Sequence, residues 1–133
     1  MSDISQAKNL LKVAQRDLKA LAGMLDADVF ADEIFGFHIQ QAVEKLLKAW
    51  LAALGKIYPL THNLDLLLQL LEDLDCDVSE YRKLADFAPF AVQLRYADMN
   101  LEDSPVDRED AIAQVKVLHR RIEAVVNDAD TVS

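Results

Sequence analysis

Seven polar residues have types and spacings that suit ligand recognition: His38, Gln41, Lys45, Lys48, His62, Arg95 and Tyr96. The first four recur at steps of three and four, so on a helix they fall within ~80° of one another and form one strip. Two ammonium groups on such a strip suit a phosphate. Arg95 adds a planar fork that grips phosphate or carboxylate in a bidentate manner, and Tyr96 beside it offers a stacking face. His38, Gln41 and His62 would orient the ligand by hydrogen bonds. Each residue also has a plain structural use. Lys45 and Lys48 can snorkel to water, and Glu44 with Lys48 is an i,i+4 helix pair. His62 can bond a helix start, and Arg95 can pair with Asp98.

Other chemistries find little support. His38, His62 and His119 lie on separate segments, and no His-x3-His or Glu-x-x-His pair presets a metal site. No motif sets a serine or cysteine beside a base. Three glycines supply no Gly-x4-Gly-Lys phosphate loop. The lone Cys76 makes no internal disulfide and reads as a small apolar filler or a loop thiol. No cofactor is expected.

The strip sits within Phe35 to Leu54, FGFHIQQAVEKLLKAWLAAL. Apolar Phe35, Ile39, Ala42, Leu46, Ala49 and Ala53 alternate steps of three and four, and Val43, Leu47, Trp50, Leu51 and Leu54 widen that face beyond a surface helix's stripe. This spacing predicts a central helix covered on most sides. A first helix is expected from Ile4 to Leu25, capped by Ser2, Asp3 or Ser5. Its Lys8, Lys12, Arg16 and Lys19 read as a solvated basic face. Asp26, Asp28, Asp32 and Glu33 form an acidic connection into the central helix, whose dipole favours carboxylates there. Gly36 costs about 1 kcal/mol relative to alanine and marks either close packing or a late helix start. Gly55 ends the central helix as the residue after its cap.

Thr61 or Asn63 caps a short third helix, Asn63 to Leu74, and Ser79 caps a fourth that begins at Glu80. Pro89 should kink or break that fourth helix, which ends over residues 93–98. Ser104 and Pro105 supply the cap and first position of a last helix with Ala111, Val115, Leu118, Ile122 and Val125 on its buried face. It should end near Asn127, and Asp128 to Ser133 should fray. No period-two strand pattern or repeat occurs. The expected fold is all-α, an up-and-down antiparallel helical bundle of four long helices plus one short helix. It forms a single domain over residues 1–133 with its core at about 3–127.

At 133 residues the chain can bury a core without disulfides or metals. No apolar run approaches the ~18 residues of a membrane span, and the polar start MSDISQAKNL is unlike a signal peptide, so a cytoplasmic protein is expected. Net charge is −9; residues 1–60 hold seven Lys/Arg and seven Asp/Glu, whereas residues 61–133 hold seven and sixteen. The acidic excess therefore lies in the second half. Such a surface disfavours bulk nucleic-acid binding but leaves room for a local basic pocket.

The run Phe37 to Ala49, FHIQQAVEKLLKA, resembles the "QQAxEKxLKA" helix of the HEPN domain, the nucleotide-binding domain of higher eukaryotes and prokaryotes. Thr61-His62-Asn63-Leu64 is similar to the family's "THxL" helix start, and Leu94-Arg95-Tyr96-Ala97-Asp98 to its "RYPD" element, with Ala97 in place of the usual proline. The three motifs occur in the family's order and cover roughly residues 3–127. The resemblance implies a helical bundle that commonly forms a homodimer. It also implies small prokaryotic proteins often encoded beside a minimal nucleotidyltransferase, as a two-component or toxin–antitoxin-like pair. Many HEPN proteins are metal-independent RNases with an Arg-x4–6-His motif. After Arg95 those offsets hold Asn100, Leu101 and Glu102, and Arg16, Arg82, Arg108, Arg120 and Arg121 also lack a histidine there. Cleavage of this kind needs a group titrating near neutrality, so the nuclease form is not expected.

The leading expectation is a non-catalytic HEPN-type module that binds a nucleotide, a nucleotidyltransferase partner or both, in a cleft between the polar strip and the Arg95–Tyr96 end of the fourth helix. One alternative is a structural or regulatory homodimer without a small ligand, with Glu44, Lys45 and Arg95 pairing across an interface. Another is an atypical RNase in which His62 or His38 replaces the missing histidine.

Overall fold

The computed structural model describes residues 3–90 and 107–132. In order, these form α1 (Ile4–Ala22), α2 (Asp32–Ala53), α3 (Leu64–Asp73), a 3-10 helix (Ser79–Phe87) and α4 (Arg108–Val132). No strand occurs among the described residues, and the fold is an all-α bundle. Expectations for residues 93–98, for the loop after them and for Ser104 and Pro105 lie outside the described residues.

The wide apolar face of α2 places it at the centre, where it packs against α1, α3, the 3-10 helix and α4. Phe35, Ile39, Leu46, Leu47 and Trp50 are all buried. Trp50 meets Tyr81 of the 3-10 helix edge to face at 6.1 Å, and Arg121 of α4 lies 5.8 Å from its ring centre. The Asp3 N–H donates to the Ala52 carbonyl at 2.9 Å, so the start of α1 meets the end of α2 and the two run antiparallel. At the opposite end the Arg108 guanidinium donates to the Met24 and Phe30 carbonyls, both at 2.6 Å, and to the Asp32 carboxylate at 2.8 Å. It also lies 4.9 Å from the centre of the Phe35 ring. These partners replace the water that a buried guanidinium loses. Lys8 reaches Asp130 at 2.7 Å, so α4 runs antiparallel to α1 and parallel to α2.

Caps and termini refine the expected boundaries. Asp3 accepts from the Gln6 N–H and Asn63 from the Leu66 N–H, so these two are the side chains that cap α1 and α3. α1 ends at Ala22, before Leu25, and the backbone passes through Gly23. α2 starts at Asp32, which puts Asp32 and Glu33 in its first turn beside the unpaired N–H groups. Gly36 therefore marks close packing: a Cβ there would lie 2.5 Å from the Phe90 ring. Gly55 has φ 78°, the left-handed conformation that ends a helix at little cost for glycine.

Ser79 is the first residue of the 3-10 helix rather than a cap; the Asp77 carboxylate accepts from its N–H at 3.1 Å and its hydroxyl at 2.7 Å. That helix stops at Phe87, before Pro89 can clash with the preceding turn. α4 starts at Arg108, and Asp107 in the cap position accepts from the Asp110 N–H at 3.0 Å. It continues to Val132 instead of fraying after Asn127: Asp130 is held by Lys8, and the Thr131 hydroxyl donates to the Asn127 carbonyl at 2.8 Å. Val126, not Val125, completes its fully buried face.

Candidate ligand site on the central helix

Gln40, Glu44 and Lys48 stand at steps of four on α2 and form a polar row inside a largely apolar surface. All three are buried, and each has a partner. Glu44 Oε1 accepts from Gln40 Nε2 at 2.7 Å and from His62 Nδ1 at 2.8 Å, while Oε2 accepts from Lys48 Nζ at 2.8 Å. Gln41 Nε2 donates to Gln40 Oε1 at 2.9 Å and extends the row. Burial by itself pushes the Glu44 carboxyl up. The hydrogen bonds from Lys48, His62 and Gln40, with the charge of Lys48, outweigh it and hold the group below the usual carboxylate range.

His62 sits in the connection between α2 and α3, and its side chain is 67% exposed. An ionised Glu44 accepts only, so Nδ1 carries the proton that makes this bond and a neutral imidazole turns a lone pair on Nε2 outward. Tyr58, from the same connection, lies 5.6 Å below the Lys48 ammonium, and its hydroxyl accepts from Gln6 of α1. The Tyr58 ring also walls a cavity of about 430 Å³ lined by Asp3, Gln6, Gly55, Lys56, Ile57 and Leu60. Ile57 and Leu60 are almost fully exposed, at 99% and 98%.

The structure thus brings two of the expected site residues, Lys48 and His62, together through Glu44, and joins Gln41 through Gln40. Lys45 points elsewhere, pairing with Asp17 of α1 at 2.7 Å. His38 is half-buried, with Nδ1 buried and unpartnered among the described residues and its ring edge-on to Phe37 at 5.5 Å. Arg95 and Tyr96 lie outside the described residues. Sequence reasoning missed Gln40 and Tyr58, and treated Glu44 as an ordinary helix pair. The signal was present: three polar residues repeating every fourth position cannot all avoid burial on a helix as apolar as α2.

A family model of the HEPN domain matches residues 7–127. The chain belongs to the HEPN family. The matched part of this HEPN domain contains the whole Gln40–Glu44–Lys48 row, Tyr58 and His62. No curated protein and no solved structure matches the chain. Among the described residues of the HEPN domain, no helix is long and apolar enough to cross a membrane, and no three His, Cys, Asp or Glu gather to hold a metal ion.

Proposed function

We propose that this HEPN protein is a binding module for a nucleotide, acting beside a minimal nucleotidyltransferase partner in a two-component or toxin–antitoxin-like system. The observation that carries the nucleotide reading is the contact between buried Glu44 and exposed His62, joined through Lys48 to Tyr58, which walls a cavity. A volume of about 430 Å³ falls within the range of small-ligand sites. In this reading a base stacks on Tyr58 between Ile57 and Leu60, and Lys56 and His62 meet the phosphate. Arg95 and Tyr96 belong to the same proposal as a phosphate fork and a second stacking face. Lys48 holds the site through Glu44 and Tyr58. Lys45 serves helix packing through Asp17. Family membership supports the nucleotidyltransferase partner. Titration calorimetry with ribonucleoside mono- and triphosphates tests the site: Tyr58→Ala and Arg95→Ala should each abolish binding with helicity intact, and Lys45→Ala should bind as wild type. Unaltered binding in Tyr58→Ala removes the site assignment.

The bare Ile57 and Leu60 side chains favour a second reading, a homodimer closed by this connection. In that case Ile57→Asp shifts the monomer–dimer balance in sedimentation, and no nucleotide binds. The Glu44–His62 geometry is also that of an oriented general base. Loss of RNA cleavage in His62→Ala, with structured and unstructured RNA as substrates, would identify an RNase.

A further inference from the structure

The basic arc of α1 does not stand alone in the folded chain. α1 and α4 pack antiparallel, and the open seam between them carries three shallow concavities of about 360, 340 and 290 Å³. The first and second share Ala22, Lys116 and Arg120, and the second and third share Gln15 and His119, so they form one continuous groove. Lys12 and Lys19 line one rim, Lys116 and Arg120 the other, and none of the four makes an ion pair among the described residues. The groove's carboxylates are Glu109 in the first concavity and Glu123 in the third. In a chain of net charge −9, unpaired cations gathered on both rims of one groove attract a negatively charged partner.

The floor decides what kind of partner. Leu18 and Ile112 are buried beneath it, and Leu25 and Val117 stand 46% and 44% exposed around the first concavity. No Phe, Tyr or Trp lines any of the three, so nucleobases would find nothing to stack on. A second copy placed on the same face about a two-fold axis would set cation against cation. His119, buried where two concavities join, has an Nε2 without a hydrogen-bond partner among the described residues, which leaves a polar contact for a guest side chain.

We propose that the α1/α4 seam docks an acidic amphipathic helix of a partner protein. Its apolar stripe lies on Leu18, Leu25, Ile112 and Val117, and carboxylates on its two flanks meet Lys12 and Lys19 on one side and Lys116 and Arg120 on the other. This surface shares no residue with the nucleotide site and does not depend on it.

The test is fluorescence anisotropy with the full chain and a labelled peptide of about 18 residues, ~27 Å as a helix, with a leucine stripe flanked by glutamates. A lysine-flanked version of the peptide and a uridine oligonucleotide serve as competitors. The glutamate peptide should bind, more weakly as salt rises. The exposed pair Lys116→Glu/Arg120→Glu should lower its affinity roughly tenfold without loss of helicity. No binding of the glutamate peptide, equal binding of the lysine peptide, preference for the oligonucleotide, or unchanged affinity in the double variant would each overturn the proposal.

Discussion

Replacing Glu44 by glutamine keeps the side chain's shape and removes its charge. The exchange leaves the Lys48 ammonium, whose side chain is only 11% exposed, without its counter-ion at 2.8 Å, with an amide in its place and the Tyr58 ring at 5.6 Å. It also sets an amide NH2 against either Lys48 or the donors Gln40 and His62. Removing one partner of a buried pair costs about 3 kcal/mol, which for a domain of this size lowers the melting temperature by roughly 10 °C. Urea unfolding followed by the fluorescence of Trp50, the single tryptophan, reads the loss. A double-mutant cycle isolates its cause. Lys48→Met alone takes the ammonium from the carboxylate and leaves it the bonds from Gln40 and His62. The double variant, with neither charge and a methionine against the Tyr58 ring, should be less destabilised than the sum of the two, by about 1–3 kcal/mol. Additivity within about 0.5 kcal/mol would mean that Glu44 and Lys48 do not stabilise each other and that the polar row is not a unit.

Three further outcomes follow from the same contacts. Because the folded Glu44 carboxyl lies below its ordinary value, its contribution is complete above the unfolded pKa of about 4.3 and fades as pH falls through the folded value. Acid titration of stability should therefore be shallower in Glu44→Gln than in wild type below that pH; identical slopes would contradict the assignment. Gly36→Ala should destabilise by about 1–3 kcal/mol despite alanine's better helix propensity, since its Cβ would overlap the Phe90 ring. A gain in melting temperature would show that Phe90 is not fixed there. Arg108→Lys cannot reproduce the fork that reaches Met24, Phe30 and Asp32, and should cost about 2 kcal/mol in urea unfolding. An unchanged midpoint would show the fork to be dispensable.

The bundle was legible because apolar periodicity reports burial directly. The broad face from Phe35 to Leu54 foretold a central helix, and Gly55 its end. Gly36 left two meanings open, since the deciding atom, the Phe90 ring, lies far along the chain. Ser79 and Asp77 both have side chains suited to capping, yet the cap position falls on Val78, and the Asp77 carboxylate instead closes a turn onto Ser79. The candidate site was half legible. Lys48 and His62 were readable as polar groups at suitable places, but their meeting point is Glu44, and His62 reaches it from a connection of irregular backbone. Lys45 matched the strip by angle yet finds Asp17 because α1 covers that side of α2. Nothing in the sequence marks Arg108 for burial, which depends on where its partners Met24, Phe30 and Asp32 converge.

Thermal unfolding of the wild-type protein with and without each of a panel of ribonucleotides tests nucleotide binding most directly, run beside Tyr58→Ala and His62→Ala. At ~100 times its dissociation constant a nucleotide should add ~2.7 kcal/mol, a rise of several degrees. The expected result is a shift in wild type that disappears in both variants. No shift with any nucleotide, or the same shift in all three proteins, would contradict a nucleotide site at the Glu44–His62 edge of α2.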